Sequence, residues 1–421
     1  MPQYYTRNPD LPGTGLLQIG TQSIDAGMPA VNATVRIMQR GERNHIIEEM
    51  ISDPSGRTPA INLPAPPVDF SLQPSEQIPY SEYDVSVDME GYEPVYVEGV
   101  QILPDTISYQ DIRLTPLMNY SDRFRLITIK DHTLWGTFPA KIPEADTKPL
   151  PPSTGLVVLP NPVIPEFVIV HAGVPTNASA PNYWVPFKDY IKNVACCEIY
   201  ATWPEETIKA NVLAIISFTL NRVYTEWYRG RGFDFTITNS TAFDQAFTYG
   251  RNIFEEISRV VDEIFTTFIT RPNIRQPLMT QYCDGQRVSC PSWMSQWGSK
   301  ALGDQGHAAI DILKRYYGYE IFLMQAQRVA GVPSSYPGTP LQMGSTGQDV
   351  RVIQEQLNAV SNNYPLIPKI RVDGIFGEET RKAVETFQSI FRLASDGIVG
   401  FSTWYKISSI YVAVTRMAEL R

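Results

Sequence analysis

The chain has 421 residues, 43% hydrophobic and 19% charged, with a net charge of −9; that is globular composition with core enough for roughly two to four domains. Lys and Arg number 35 against 44 Asp and Glu, so no basic face is evident to neutralise phosphates, which argues against nucleic acid as a partner. No apolar run reaches the ~18 residues of a membrane span, the first twenty residues lack the basic and apolar regions of a signal peptide, and four cysteines and four histidines show neither a disulfide framework nor zinc spacing.

Residues 15 to 116 read as β structure. GLLQIGTQ, AVNATVRIMQ, YDVSVDME, YEPVYVEGV and ISYQDIRLTP are short runs of β-branched and aromatic residues punctuated by Gly, Pro and Asn. About seven such strands in ~100 residues predict an antiparallel sandwich. From 117 the character changes, and Pro149, Pro151, Pro152, Pro160, Pro162 and Pro165 mark a stretch that should be extended and exposed. Exposed extended chain is also where proteases cut.

Residues 185 to 330 read as mostly helical. Phe187, Tyr190, Ile191, Val194 and Ala195 recur at helical spacing. EETIKANVLAIISFTLNRVYTEWY is a long buried helix that starts after Pro204 with Glu205 and Glu206 in its first turn. RNIFEEISRVVDEIFTTFI gives a third helix, QPLMTQYCDGQRVSCPSWMSQWG strand and loop, and AAIDILKRYYGYEIFLM a helix and a strand. GVPSSYPGTP at 331–340 is a linker. Beyond it DGIFGEET and DGIVGFST repeat the pattern D-G-I-x-G-x-x-T, each leading into a helix, and DVRVIQEQLNAV supplies the first helix of three. Ile375 and Phe376 are expected to pin the first turn to the core. Cys196 and Cys197 are too close in sequence to pair with each other; Cys283 and Cys290 can bridge a short loop.

One carboxylate stands out. VACCEIYATWP sets Glu198 among Val194, Ala195, Cys196, Cys197, Ile199, Tyr200 and Trp203. On the residues alone two readings stay open: a helix-end glutamate satisfied by backbone, or a carboxyl whose acidity is tuned by apolar surroundings.

The C-terminal segments MGSTGQDVRVIQEQLN, RVDGIFGEETRKAVETFQ and ASDGIVGFSTWYKI resemble the peptidoglycan-binding domain of cell-wall hydrolases over roughly residues 340 to 410. The resemblance puts Asp373, Gly374, Gly377, Asp396, Gly397 and Gly400 in the binding module. VPFKDYIKNVACCEIYATWPEETIKANVLAIISFTLN and MSQWGSKALGDQGHAAIDILKRYYGYEI resemble the opening and close of the SpoIID/LytB family of peptidoglycan lytic transglycosylases, over roughly residues 184 to 322. That family's catalytic glutamate falls on Glu198. Such an enzyme cleaves without water. One carboxyl protonates the glycosidic oxygen and then takes the proton of the sugar 6-hydroxyl, which attacks C1 and leaves a 1,6-anhydro product. No second carboxylate is required, unlike ordinary glycosidases. Tyr200 and Trp203 are the desolvating neighbours the sequence offers; Tyr282, Ser295, Gln296 and Trp203 are the implied substrate-binding residues.

The chain departs from that family where SCPSWMSQ lacks a His-Gly pair, where Ile216 replaces an arginine, and where TNSTAFDQAFTYG lacks a Cys/His zinc cluster; no metal or cofactor is expected, and His307 is read as solvated. GMPAVNATVRI, YDVSVDMEGYEP and the strand ending IRLTP resemble a transthyretin-like sandwich. The whole order is similar to the SleC family of clostridial spore cortex-lytic enzymes. The resemblance implies a zymogen in four parts. These are an N-terminal antiparallel β-sandwich over 1–118, a pro-segment and proline-rich linker with the activation cleavage region over 119–158, a central α+β SpoIID-type catalytic domain over 159–330, and a three-helix peptidoglycan-binding domain over 331–421. It further implies synthesis in the mother cell without a signal peptide, location in the spore cortex and coat region, cortex peptidoglycan containing muramic-δ-lactam as substrate, and a subtilisin-like Csp protease as activator. An N-acetylmuramoyl-L-alanine amidase and a catalytically inert peptidoglycan-binding scaffold remain the alternatives.

Overall fold

The computed structural model describes residues 13–24, 28–117, 124–150 and 161–415. The N-terminal region forms β1 (Gly13–Ser23), β2 (Thr34–Gln39), β3 (Ile46–Ile51), β4 (Ile61–Ala65), the short α1 (Asp69–Leu72), β5 (Ser81–Asp88), β6 (Val95–Ile102), β7 (Ile107–Leu114) and β8 (Arg125–Thr128). The middle region forms β9 (Phe167–His171), β10 (Asn182–Pro186), α2 (Phe187–Glu198), α3 (Glu205–Tyr224), β11 (Ile237–Thr238), β12 (Ile253–Phe254), α4 (Glu255–Ile264), β13 (Thr267–Thr270), β14 (Tyr282–Cys283), β15 (Met294–Ser295), α5 (Gln296–Asp304), α6 (Ala309–Tyr317) and β16 (Phe322–Gln325). Three helices close the chain: α7 (Gln348–Val360), α8 (Glu378–Ile390) and α9 (Phe401–Thr415).

Two sheets, β12–β7–β1–β4 and β3–β2–β5–β6–β8, share one core. Period-2 alternation sends Leu17 and Ile19 of one sheet and Val35, Ile37, Val85, Val87 and Val97 of the other into it, all fully buried. Each such side chain stabilises the fold by about 1.5–3 kcal/mol. The expected wholly antiparallel arrangement is corrected in two places. β1 runs parallel to β7 from Leu16↔Ile107 to Ser23↔Leu114, and β6 runs parallel to β8. These partners are distant in sequence, so no tight turn dictates their sense. Strands β3 and β4 escaped the sequence reading for local reasons. Most of β3 is exposed, so it lacks alternation, and β4 carries Pro64, which an edge strand tolerates.

In the middle region α3 is buried all round, Ile208, Val212, Ile215, Ile216 and Phe218 included, as befits a core helix. The third helix is shorter than expected: α4 stops at Ile264, and Thr267–Thr270 pairs with β16 instead, where β-branched and aromatic side chains favour a strand. The strand-and-loop stretch runs on into an unexpected helix, α5, whose glycines lower its helix propensity. A Cβ at Gly298 would lie 2.2 Å from the Tyr316 hydroxyl and one at Gly303 1.9 Å from Thr207 Oγ1. Gly303 thus lets α5 lie close against α3, where a side chain would meet Thr207, whereas at Gly298 the nearest atom is the far end of the Tyr316 side chain.

The connection after β8 is not the free linker its composition suggests. Glu144 accepts hydrogen bonds from Arg222 (2.9 and 2.5 Å) and Lys148 (2.6 Å), and Arg222 is fully buried. The backbone N–H groups of Glu144 and Lys148 donate to Gln281 Oε1 and Gln276 Oε1 at 2.8 and 2.7 Å. Side-chain amides thus satisfy backbone that has no ladder partner, and residues 131–148 form a strap across the middle region. The prolines at 151–160 lie outside the described residues, as do residues 118–123 at the first expected boundary.

In the C-terminal unit Val350, Ile353 and Leu357 line the inner face of α7, all fully buried. One buried glutamine holds each turn of the repeat. Gln354 Nε2 donates to Asp373 Oδ1, the Ile375 carbonyl and Thr380 Oγ1 at 3.0–3.1 Å, and its Oε1 accepts from Gly374 N at 2.8 Å. Gln388 repeats the pattern with Asp396 (2.7 Å), the Ile398 carbonyl (2.9 Å), Thr403 (3.2 Å) and Gly397 N (2.9 Å). Phe376 is buried but Ile375 is 54% exposed, so Gln354 and not Ile375 anchors the first turn. The 331–340 stretch is docked: Trp404 Nε1 donates to the Ser334 carbonyl (3.2 Å), and Phe265 meets Phe401 and Tyr405 across the junction. Arg392 on the far side pairs with Asp111 of β7 at 2.9 Å.

Candidate active site around Glu198

Glu198 is the last residue of α2; Ile199 turns extended (φ −140°, ψ 156°) and ends the helix. The glutamate is only 4% exposed. A buried carboxylate is costly unless hydrogen-bonded, and this one is fully engaged. Oε1 accepts from Ala246 N (2.9 Å) and, at the edge of hydrogen-bond distance, from the Tyr282 hydroxyl (3.5 Å). Oε2 accepts from Thr133 Oγ1 (3.1 Å) and Gln296 Nε2 (3.2 Å); Gln296 Nε2 also reaches the Glu198 carbonyl (2.9 Å). None of these partners is a carboxylate. The Tyr282 phenol is pushed well up, mainly by burial and further by the Glu198 charge, so it stays a donor.

Two elements bring these groups together. The parallel pair β14–β15 sets Tyr282 beside Met294 and Cys283 beside Ser295, and Gln296 follows. Cys283 and Cys290 are disulfide-bonded, with Cα atoms 5.7 Å apart, and Asp284 receives three backbone N–H groups of the loop between them. Ser295 Oγ caps α5 by accepting from Gly298 N (2.9 Å). It therefore fixes the helix start that carries Gln296.

The strap forms the roof. Thr133 N donates to the Cys197 carbonyl (3.0 Å), the single Thr133 hydroxyl proton is shared between that carbonyl (2.9 Å) and Glu198 Oε2, and a ring nitrogen of His132 lies 3.2 Å from the Ile199 carbonyl. These bonds satisfy carbonyls that a helix end leaves open. His132 stacks on Tyr200 with centroids 4.4 Å apart, and burial drives its pKa well down, leaving the imidazole neutral. Lys141 sits over the Tyr282 and Phe218 rings at 5.1 and 5.2 Å and donates to the Asp244 carbonyl. Burial lowers its pKa, opposed first by the charge of Glu198.

Of the residues read from the sequence, Tyr282 and Gln296 touch Glu198, and Ser295 positions Gln296. Trp203 does not reach the carboxylate: its Nε1 donates to the Ser71 carbonyl (2.9 Å) and its ring packs on Trp297 (5.1 Å). Asp373, Gly374, Asp396 and Gly397 form the turns held by Gln354 and Gln388. Gly377 and Gly400 precede α8 and α9, their carbonyls accepting from Arg381 N and Trp404 N. Thr133, Lys141 and Ala246 N escaped sequence reading; they lie on irregular chain, and the last contributes only backbone. His307 is exposed. Among the described residues no group of three or more His, Cys, Asp or Glu is arranged to hold a metal, and no helix is long and apolar enough to cross a membrane.

Residues 346–407 match PG_binding_1, a peptidoglycan binding domain. The chain is thus a multidomain α+β protein with a C-terminal helical peptidoglycan-binding domain, and peptidoglycan is the partner of that domain. Over 74 residues it is 40% identical to the zinc D-Ala-D-Ala carboxypeptidase of Streptomyces albus G, covering 17% of this chain and 27% of that protein. The chain therefore spans about a quarter of the length of this curated relative. Among solved structures, the SleB N-terminal domain is 30% identical, with 18% of this chain and 99% of that chain covered and a TM-score of 0.16. A peptidoglycan-binding protein from Clostridioides difficile in complex with glutamine hydroxamate is 29% identical over 17% of this chain and 42% of its own, with a TM-score of 0.15.

Proposed function

We propose that the chain is the stored, inactive form of a peptidoglycan-cleaving enzyme, a SpoIID-type lytic transglycosylase in which Glu198 alone serves as acid and then base. The observation that carries the reading is the Glu198 carboxylate itself: it is buried, held by hydrogen-bond donors, without a second carboxylate among its partners, and roofed by Thr133 of the strap. With the strap displaced, the protonated acid donates to the oxygen between MurNAc and GlcNAc, and that C–O bond breaks. The carboxylate then accepts the proton of the 6-hydroxyl as its oxygen bonds to C1, closing the 1,6-anhydro ring. Gln296 and Ala246 N hold the carboxylate in place through both steps.

The peptidoglycan-binding domain supports wall glycan as the substrate. The resemblance to clostridial cortex-lytic enzymes narrows this to spore cortex containing muramic-δ-lactam, in a protein resident in the spore. The two N-terminal sheets on one core fit the transthyretin-like sandwich of that family. The strap gives zymogen control a physical form: residues ahead of the 140–158 region close the site, and cutting by a subtilisin-like Csp protease frees them. The test is mass spectrometry of muropeptides released from cortex by the protease-cut protein. Wild type yields 1,6-anhydro products and Glu198→Gln yields none. Undiminished anhydro products from Glu198→Gln exclude the assignment, and free stem peptides in their place show an amidase.

A further inference from the structure

A second cluster on the middle region is unused by the chemistry above. Among the described residues Trp184 is 68% exposed, and Phe167, 36% exposed, stands edge-on to it at 6.3 Å. The register β9–β10 pairs Trp184 with Ile169, so Phe167 and Trp184 share the outer face of the small sheet β10–β9–β11. Phe167 also lines a cleft of about 110 Å³ whose other walls include Trp227, Tyr228 and Phe235, with Glu226 and Arg229 among its lining residues. Glu226 takes φ +48° in the turn that ends α3, its N–H donating to the Val223 carbonyl and that of Trp227 to the Arg222 carbonyl. His171, stacked on Phe235 at 4.5 Å, is 4% exposed and leaves Nε2 without a partner.

We propose that this face is a glycan-binding subsite, with the strand lying on Trp184 and Phe167 and an N-acetyl group entering the cleft. The apolar faces of pyranose rings present C–H bonds of partial positive charge, which match the negative face of an aromatic ring. The acetamido group offers a methyl for the aromatic walls and an amide for Glu226 and Arg229. The same chain carries a peptidoglycan-binding domain at residues 346–407, so wall glycan is its ligand class. β10 runs directly into α2, the 12-residue helix that ends at Glu198. At 1.5 Å per residue that helix is ~18 Å long, a length of several sugar rings. The inference rests on the reading of the chain as a wall-glycan enzyme for its purpose, but binding here does not depend on Glu198 or on removal of the strap.

The experiment uses the full chain labelled with 5-fluorotryptophan and titrated with chitotetraose, an uncharged N-acetylglucosamine tetramer. The Trp184 fluorine signal, assigned by its loss in Trp184→Ala, shifts and saturates. Phe167→Ala weakens the affinity read at that signal at least tenfold, and Glu198→Gln binds as wild type does. Because Trp184 projects into solvent, its replacement leaves the fold intact. A Trp184 signal that does not move overturns the proposal, as does one that moves with unchanged affinity in Phe167→Ala. Failure of the catalytic reading appears separately, as turnover that survives Glu198→Gln.

Discussion

Replacing Glu144 with alanine tests whether the strap is what closes the site. Its carboxylate takes two hydrogen bonds from Arg222 and one from Lys148, and these cations hold its pKa below the ordinary carboxylate value against the effect of burial. Breaking a buried pair costs about 3–5 kcal/mol. The lower end applies, because Arg222 keeps Asp244 (2.7 Å) and the Phe243 carbonyl (3.0 Å). A loss of about 3 kcal/mol, at 1.4 kcal/mol per decade, raises the open-to-closed ratio of the strap ~150-fold. The assay is cortex turnover by the uncut protein, with limited proteolysis of residues 131–148 alongside. The variant should turn over cortex without protease and be cut faster within the strap. A Glu144→Ala protein that loses stability yet stays as inactive and as resistant as wild type refutes the reasoning, because the strap would then not gate Glu198.

The same pair predicts a pH dependence. The folded-state pKa of Glu144 is depressed, so its contribution is fully present above the usual carboxylate value of 4.5 and is lost as pH falls through the lowered value; the protection factors of strap amides, with the intrinsic pH dependence of amide exchange divided out, should fall in acid below about 4.5 and stay constant between pH 6 and 8. Gln354→Ala removes the donors and acceptor that hold the Asp373–Gly374 turn, for about 2–4 kcal/mol. Calorimetry should show the C-terminal domain melting early, with Gln388→Ala equivalent, and a change below ~0.5 kcal/mol contradicts the assigned role. Reducing Cys283–Cys290, which closes a loop of sequence separation 7, should cost about 2–3 kcal/mol and lower the activity of the cut enzyme by loosening Gln296; equal activity with and without reductant counts against it.

Much of the architecture was legible because pattern and burial coincide. Val35 and Ile37 alternate, α3 is apolar all round, and D-G-I-x-G-x-x-T announces two equivalent turns. What stayed hidden depends on partners far apart in sequence. Nothing in DHTLWGTFPAKIPEADTK marks Thr133 as a neighbour of Glu198, 65 residues on, or Glu144 as the partner of Arg222. Prolines there suggested free chain, yet Gln276 and Gln281 supply the bonds that a strand would have found in a sheet. The glutamines that hold the repeat lie outside the repeated motif itself, so the turn residues drew the eye while Gln354 and Gln388 did the holding. Trp203, chosen for proximity in sequence, turns away because α2 ends at Glu198 and the chain reverses direction before it.

The most direct measurement compares one preparation before and after cleavage in the 140–158 region, following release of soluble fragments from purified cortex over time. The account predicts no release from the intact chain, release after the cut, and none at either stage from Glu198→Gln. Equal release from intact and cut wild-type protein would contradict it.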